Sequence, residues 1–289
     1  MRVYAGDARP LRRVRCAAMS NLEAIVLGLV QGLTEFLPIS SSGHLRIVPA
    51  LLGWSDPGAG FTAVIQLGTM AAVLIYFRAD LWRIAAAWLR ELRVPIRQAS
   101  QEAKLGWFIV LGTIPISIFG FIFKDQIESG ARSLYLIGSA LILFSFVMVA
   151  AERVGTRRRE LAEMNGRDGL FIGGAQALAL IPGVSRSGAT ISAGLFRGFD
   201  RVAAARYSFL LSVPAVVLSG LFELRKVGES GDPSVGATVI ATLVAFVTGY
   251  LAIAWLLRYL STHTLEIFVI YRIALGVLVL VLAATGAIS

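Results

Sequence analysis

Two long apolar stretches, each broken near its middle by Pro, Gly and Ser, constrain this chain more than any other feature of its 289 residues. Residues 22–53 contain Phe36-Leu37-Pro38-Ile39-Ser40-Ser41-Ser42-Gly43, and residues 169–198 contain Ile181-Pro182-Gly183-Val184-Ser185-Arg186-Ser187-Gly188. Pro removes a backbone donor and Gly-Ser runs interrupt helices, so the arms on either side fall short of the ~20 residues that cross a bilayer. Non-helical backbone at membrane depth is tolerated only where protein buries it or where it lines a wet cavity. Both stretches are therefore expected to be re-entrant helix–loop–helix hairpins.

The rest of the chain supports a membrane setting. Uncharged runs at 57–77, 105–123, 133–151, 207–222 and 233–257 each fit a spanning helix, and a sixth, about 265–287, is interrupted by Arg272. The fold class expected is all-α and integral to the membrane, with six spans and two hairpins. Only 16% of residues are charged against 56% hydrophobic, which excludes a soluble globular domain, a disordered chain and a nucleic-acid-binding module. The net charge of +9 is better read as cytoplasmic loops facing anionic lipid than as a nucleic-acid surface. The basic, aromatic segment 78–104, with Trp82 and Trp88, reads as an amphipathic helix on the membrane surface.

The loops 78–104, 153–168, 197–206 and 258–264 fall on one side of this layout and carry 6, 5, 3 and 1 Lys/Arg. The loops 124–132 and 225–234 fall on the other side and carry 2 each. The positive-inside bias then places the first set in the cytoplasm and both termini outside. Residues 1–18 hold five arginines and no apolar run, and no cleavage site follows Ala24–Val30. They are expected to be an extension outside the fold, with Met19 opening a single membrane domain, 19–289. Cys16, the sole cysteine, has no expected role.

The two broken stretches also resemble each other. Gln31 and Ser42-Gly43 align with Gln176 and Ser187-Gly188 at an offset of 145, and three spans follow each stretch. Three crossings invert the successor, so repeat one (19–153) and repeat two (165–289) are expected to send their hairpins in from opposite sides, to meet near the midplane.

Charge within the apolar layer is costly and usually functional. Gln31 and Glu35 share a helix face, and Gly43 and His44 follow within one loop. The second loop adds Ser185, Arg186, Ser187, Gly188 and Thr190. An Arg fork, hydroxyls, loop amides and helix N-termini favour a phosphate group. A carboxylate beside phosphate oxygens suits a divalent cation, Mg²⁺ or Ca²⁺, with Glu35 and Gln31 as the expected ligands. His44 is a natural acid, base or nucleophile. The competing readings are a structural Glu35–Arg186 pair and a satisfied buried His44. Arg46 is expected to snorkel. Arg272 is expected either to pair with Glu266 or a backbone carbonyl, or to reach substrate.

The segments Gln31–Leu45 and Pro182–Thr190 resemble the two signature motifs of the bacterial undecaprenyl-diphosphate phosphatases, also called bacitracin-resistance proteins. The likeness extends over residues 20–288, including Val64-Ile65-Gln66-Leu67-Gly68 and Phe209-Leu210-Leu211-Ser212-Val213-Pro214. It implies hydrolysis of undecaprenyl diphosphate to undecaprenyl phosphate and inorganic phosphate in the bacterial inner membrane, recycling the carrier for peptidoglycan. The family's first motif begins with Glu or Gln, so Gln31 fits but weakens the case for two carboxylates on a metal. The roles expected are a diphosphate clamp for Arg186 and the loop amides, attack or water activation by Ser41 or His44, and phosphate contacts for Ser185, Ser187 and Thr190. The partners implied are a polyprenyl diphosphate lipid and the membrane, with homodimer formation left open.

A transporter or flippase of a phosphorylated lipid or anion is the alternative, because inverted repeats with broken helices are also a transporter design. The cluster of Ser41, His44 and Glu35 favours an enzyme. The phosphatidic-acid-type phosphatases also use Ser-Gly-His, but they need a Lys-x₆-Arg-Pro motif and a second catalytic His. Neither is present here.

Overall fold

The computed structural model describes residues 19–123, 133–223 and 234–288. The extension 1–18 with Cys16, the loop 124–132 and nearly all of 225–234 lie outside the described residues. Eleven α-helices and no strands occur among the described residues. Five of them are long and apolar enough to cross a membrane: α5 (Gln101–Ile122), α6 (Leu134–Val154), α9 (Arg201–Glu223, through Leu218), α10 (Val235–Leu260) and α11 (Glu266–Ala284).

A sixth span counts only as a bent pair, in which α3 (Gly58–Tyr76) turns by 76° into α4 (Arg78–Arg90). No Pro or Gly sits at this bend. It falls where an apolar run gives way to Arg78-Ala79-Asp80. The amphipathic helix expected over 78–104 is thus only α4. Turns follow it, and α5 starts at Gln101 because Ser100 caps it by accepting the Ala103 N–H. The Glu91 carboxylate accepts the Ser100 N–H at 2.7 Å, which holds its carboxyl below the usual carboxylate range.

The first broken stretch forms α1 (Asn21–Phe36) and α2 (Ser41–Leu52). A reciprocal capping box between Ser20 and Glu23 starts α1, and the extended Leu37 before Pro38 ends it. The second forms α7 (Gly166–Gln176), a 3-10 turn at Ala177–Leu180, and α8 (Arg186–Phe196). Asn165 and Asp168 box the start of α7.

Glycines set how closely these arms seat. A Cβ on Gly28 of α1 would lie 2.5 Å from the Ala241 carbonyl of α10, and one on Gly32 would lie 2.8 Å from the Ala245 carbonyl and the Gly249 nitrogen of that helix and closer still to the Thr248 hydroxyl. Gly173 of α7 meets Gly112 of α5 in the same manner. Gly138 of α6 and Gly276 of α11 face each other's carbonyls. Such contacts between small residues replace the hydrophobic effect as the glue between helices in lipid.

Three groups of ion pairs gather on one face. The Asp168 carboxylate takes Arg159 at 2.6 Å and Arg197 at 2.7 Å, Glu152 takes Arg201 and the Leu265 N–H, and Asp80 takes Arg206 and Arg83. This face therefore holds the ends of α7 and α8, the C-terminal end of α6 and the N-terminal ends of α9 and α11. Ile47 of α2 instead packs with Leu134 and Val279, at the opposite ends of α6 and α11. The loops of the two broken stretches both pack on the N-terminal third of α6, Gly43 against Ile137 and Gly183 against Ile137 and Ala140.

Candidate active site

The two loops are built alike. Ser40 caps α2 and Ser185 caps α8, each accepting the N–H of the glycine three residues on, Gly43 at 3.4 Å and Gly188 at 3.1 Å. Each hydroxyl also meets the serine two residues on, Ser42 at 3.3 Å and Ser187 at 3.1 Å. Both caps adopt the left-handed region, with φ of 76° and 78°. A non-glycine residue there costs about 1–3 kcal/mol and persists only where its surroundings enforce it.

Those surroundings are the other loop. The Gly183 N–H donates to Ser40 Oγ at 3.2 Å, and the Ser187 hydroxyl donates to the Leu37 carbonyl at 3.0 Å. Arg272 of α11, fully buried, donates from Nη1 to the Pro38 carbonyl at 3.2 Å and from Nη2 to the Gly183 carbonyl at 2.9 Å. Its Nε donates to Ser145. The backbone-carbonyl alternative for Arg272 is the observed one, and Glu266 is not among its partners.

Glu35 is the centre of the cluster. Its Oε2 accepts the Ser41 hydroxyl at 2.6 Å and Gln31 Nε2 at 3.1 Å, while Oε1 accepts Arg186 Nη2 at 2.9 Å and Gln66 Nε2 at 3.5 Å. The ion pair joins α1 to α8, and its side chains are 7% and 11% exposed. Two polar atoms here are buried without a partner, Arg186 Nη1 and Gln31 Oε1. An unpaired donor and an unpaired acceptor beside one carboxylate are expensive unless a ligand completes them. The adjoining small cavity is lined by Glu35, Arg186, Thr69 and Ser212 together with apolar Met70, Val73, Val213 and Val216.

The fold thus assembles Gln31, Glu35, Ser41 and Arg186. His44 is held differently. Its Nδ1 lies 2.7 Å from the Ser40 carbonyl, which can only accept, so Nδ1 carries the proton and Nε2 accepts the Tyr271 hydroxyl at 2.7 Å. The rings stack at 5.6 Å, and His44 does not line the cavity. The Gly43 and Gly188 N–H groups are engaged by the caps. Ser185 and Ser187 face each other, and Thr190 bonds the Arg186 carbonyl and Ser208. The amides of Ser41, Ser42, Arg186 and Ser187 stand in the first helical positions, where no intrahelical acceptor exists. Arg46 reaches Asp56 at 3.5 Å, and His263 is exposed.

Sequence reasoning missed Gln66 and Thr69 of α3, Ser212 of α9 and Tyr271 of α11. Gln66 and Ser212 lie in segments that resemble the family's, a signal that could have flagged them. Nothing local marks Tyr271.

A model of the Bacitracin resistance protein BacA family matches residues 24–278. The chain is 55% identical over 270 residues to the undecaprenyl-diphosphatase of Nocardioides sp. (strain ATCC BAA-499 / JS614), covering 93% of this chain and 98% of that protein. It is 56% identical over 272 residues to the undecaprenyl-diphosphatase of Myxococcus xanthus, covering 94% and 92%. Identity to the undecaprenyl-diphosphatase of Thermobifida fusca is 52% over 271 residues, covering 94% and 93%.

Proposed function

This chain belongs to the Bacitracin resistance protein BacA family, and on that premise we propose that it hydrolyses undecaprenyl diphosphate to undecaprenyl phosphate and inorganic phosphate at the Glu35 cluster. The observation that carries the reading is the Ser41–Glu35–Arg186 chain of hydrogen bonds, with Arg186 Nη1 unpartnered at the edge of the apolar-walled cavity. A transporter needs a guanidinium for its anion but gains nothing from a hydroxyl held 2.6 Å from a carboxylate.

Arg186 Nη1 and the first-turn amides of α2 and α8 take oxygens of the terminal phosphate, where charge grows as the phosphoryl group transfers. Ser41 Oγ attacks the terminal phosphorus and passes its proton to Glu35 Oε2 as the bridging P–O bond breaks, freeing undecaprenyl phosphate. Glu35 gives that proton up to the departing undecaprenyl phosphate; water then attacks the serine phosphate, Glu35 takes a proton from the water and returns it to Ser41 Oγ as the Oγ–P bond breaks, and inorganic phosphate leaves. This favours Ser41 over His44 as the attacking group, because both ring nitrogens of His44 are engaged elsewhere. Ser185, Ser187 and Thr190 shape the second loop that presents Arg186.

The donor set fits a divalent cation of the Mg²⁺ or Ca²⁺ kind. Such ions keep several waters and take one or two protein oxygens beside substrate phosphates, and Gln31 Oε1 is a buried acceptor with nothing to accept. Gln31 Oε1 and Glu35 would hold the ion, which neutralises phosphate charge when bound. Purified protein is expected to release phosphate from undecaprenyl diphosphate, with a chelator lowering the rate at least about tenfold and either cation restoring it. Headgroup transfer across vesicles without phosphate release would establish the transporter instead.

The broken stretches are re-entrant hairpins of an inverted repeat. Exchanging the halves maps the α1–α10 packing onto α7–α5 and α3–α10 onto α9–α5, while α3–α9 and α6–α11 map onto themselves. The basic face bearing Asp168, Glu152 and Asp80 is cytoplasmic, in the bacterial inner membrane, with both termini outside. A reporter active only outside, fused after Ser289, is expected to be active, and activity of a cytoplasmic reporter there would reverse the orientation.

A further inference from the structure

We propose that Arg272 is a positioning residue that clamps both loops at equivalent carbonyls, aiming the first turns of α2 and α8 at one point. The inference rests on the hydrolytic reading above. Pro38 and Gly183 each stand two residues before the strained cap serine of their loop, Ser40 and Ser185. One guanidinium spans the two carbonyls, Nη1 to Pro38 and Nη2 to Gly183. The fork is planar, so bonds from its two Nη groups fix the spacing and the tilt of the loops together.

The anchorage of Arg272 lies outside both loops. Nε donates to Ser145 at 3.2 Å, Nη2 also lies 3.5 Å from the Ala140 carbonyl, and the guanidinium sits 5.8 Å from the Phe144 ring. All three belong to α6, on which both loops rest. Every named partner of Arg272 is neutral, so the charge is not there to balance an acid. It is buried where two backbone turns in a left-handed conformation need to be held from behind. When the clamp goes, Ser40 and Ser185 are free to leave that conformation, and the Ser41, Ser42, Arg186 and Ser187 amides no longer converge.

The test uses full-length protein in detergent, with phosphate release from undecaprenyl diphosphate and amide hydrogen exchange of peptides covering 38–44 and 183–190. Arg272→Lys keeps the charge but lacks a planar fork to bridge two carbonyls. It should lower kcat at least about 100-fold with KM changed less than about fivefold, and speed exchange in both peptides at once. Exchange across the α1–α10 crossing should stay unchanged. Wild-type kcat, or faster exchange in one loop alone, would overturn the clamp. If Arg272→Lys does not fold, Ser145→Ala decides, because it frees Nε without touching either loop. Faster exchange in both peptides with kcat down three- to tenfold supports the clamp, and unchanged exchange overturns it. The exchange arm needs no substrate, and a wild-type protein that released no phosphate would sink the hydrolytic reading instead.

Discussion

Glu35→Gln is expected to cut phosphate release from undecaprenyl diphosphate by about 1,000-fold, in the range typical of a lost general base. The change is nearly isosteric, so the protein should remain folded, although Arg186 loses its buried counter-charge and Tm should drop. Ser41→Ala should cost a similar factor, because the hydroxyl and the carboxylate share one proton across 2.6 Å. The more demanding outcome is that of the double variant. Groups that act as a unit are grossly non-additive, so Glu35→Gln with Ser41→Ala should be no slower than the worse single change. Multiplying defects would mean that the two act independently and that Ser41 is not the group Glu35 serves. Rates within tenfold of wild type in either single variant would remove that residue from the chemistry.

Two neighbouring glycines should give opposite results on stability. Gly173→Ala should destabilise by about 3 kcal/mol, because overpacking against main chain cannot be relieved by a rotamer. Its Cβ would fall 2.5 Å from the Gly112 carbonyl oxygen and closer still to the Gly112 Cα. Gly174→Ala, one residue on, meets nothing within 4 Å. It should be neutral or gain about 0.5–1 kcal/mol from the backbone freedom that glycine loses on folding. Thermal unfolding of both variants in one detergent distinguishes packing from propensity. Equal Tm values would mean that the α5–α7 crossing is looser than these distances require.

Much of the site was legible because its signals are local. Pro38 and Pro182 within apolar runs announce interruptions at membrane depth, and Gln31, Glu35, Ser41 and Arg186 are the polar groups such a place would keep only for use. The 145-residue offset anticipated that the loops would meet, and the bonds from Gly183 to Ser40 and from Ser187 to Leu37 are that meeting. The rest depends on tertiary placement. Whether the imidazole of His44 faces phosphate or Tyr271 is decided by α11, 227 positions away. The hydroxyls of Ser185, Ser187 and Thr190 look like phosphate ligands in a sequence, and their bonds to one another, to Leu37 and to Ser208 depend on tertiary placement. The left-handed Ser40 and Ser185 could not be read, because that conformation usually favours glycine and is imposed here from outside the loop. The turn from α3 into α4 likewise carries no breaker residue.

The glycine crossings bear on how this molecule can move. With main chain pressed against main chain, α1 has little room to slide on α10, or α7 on α5. Between the two broken stretches, Glu35 meets Arg186. Under the proposed function, a headgroup taken up beside Arg186 would have to part and reseal that joint, so binding and chemistry would draw on the same few bonds.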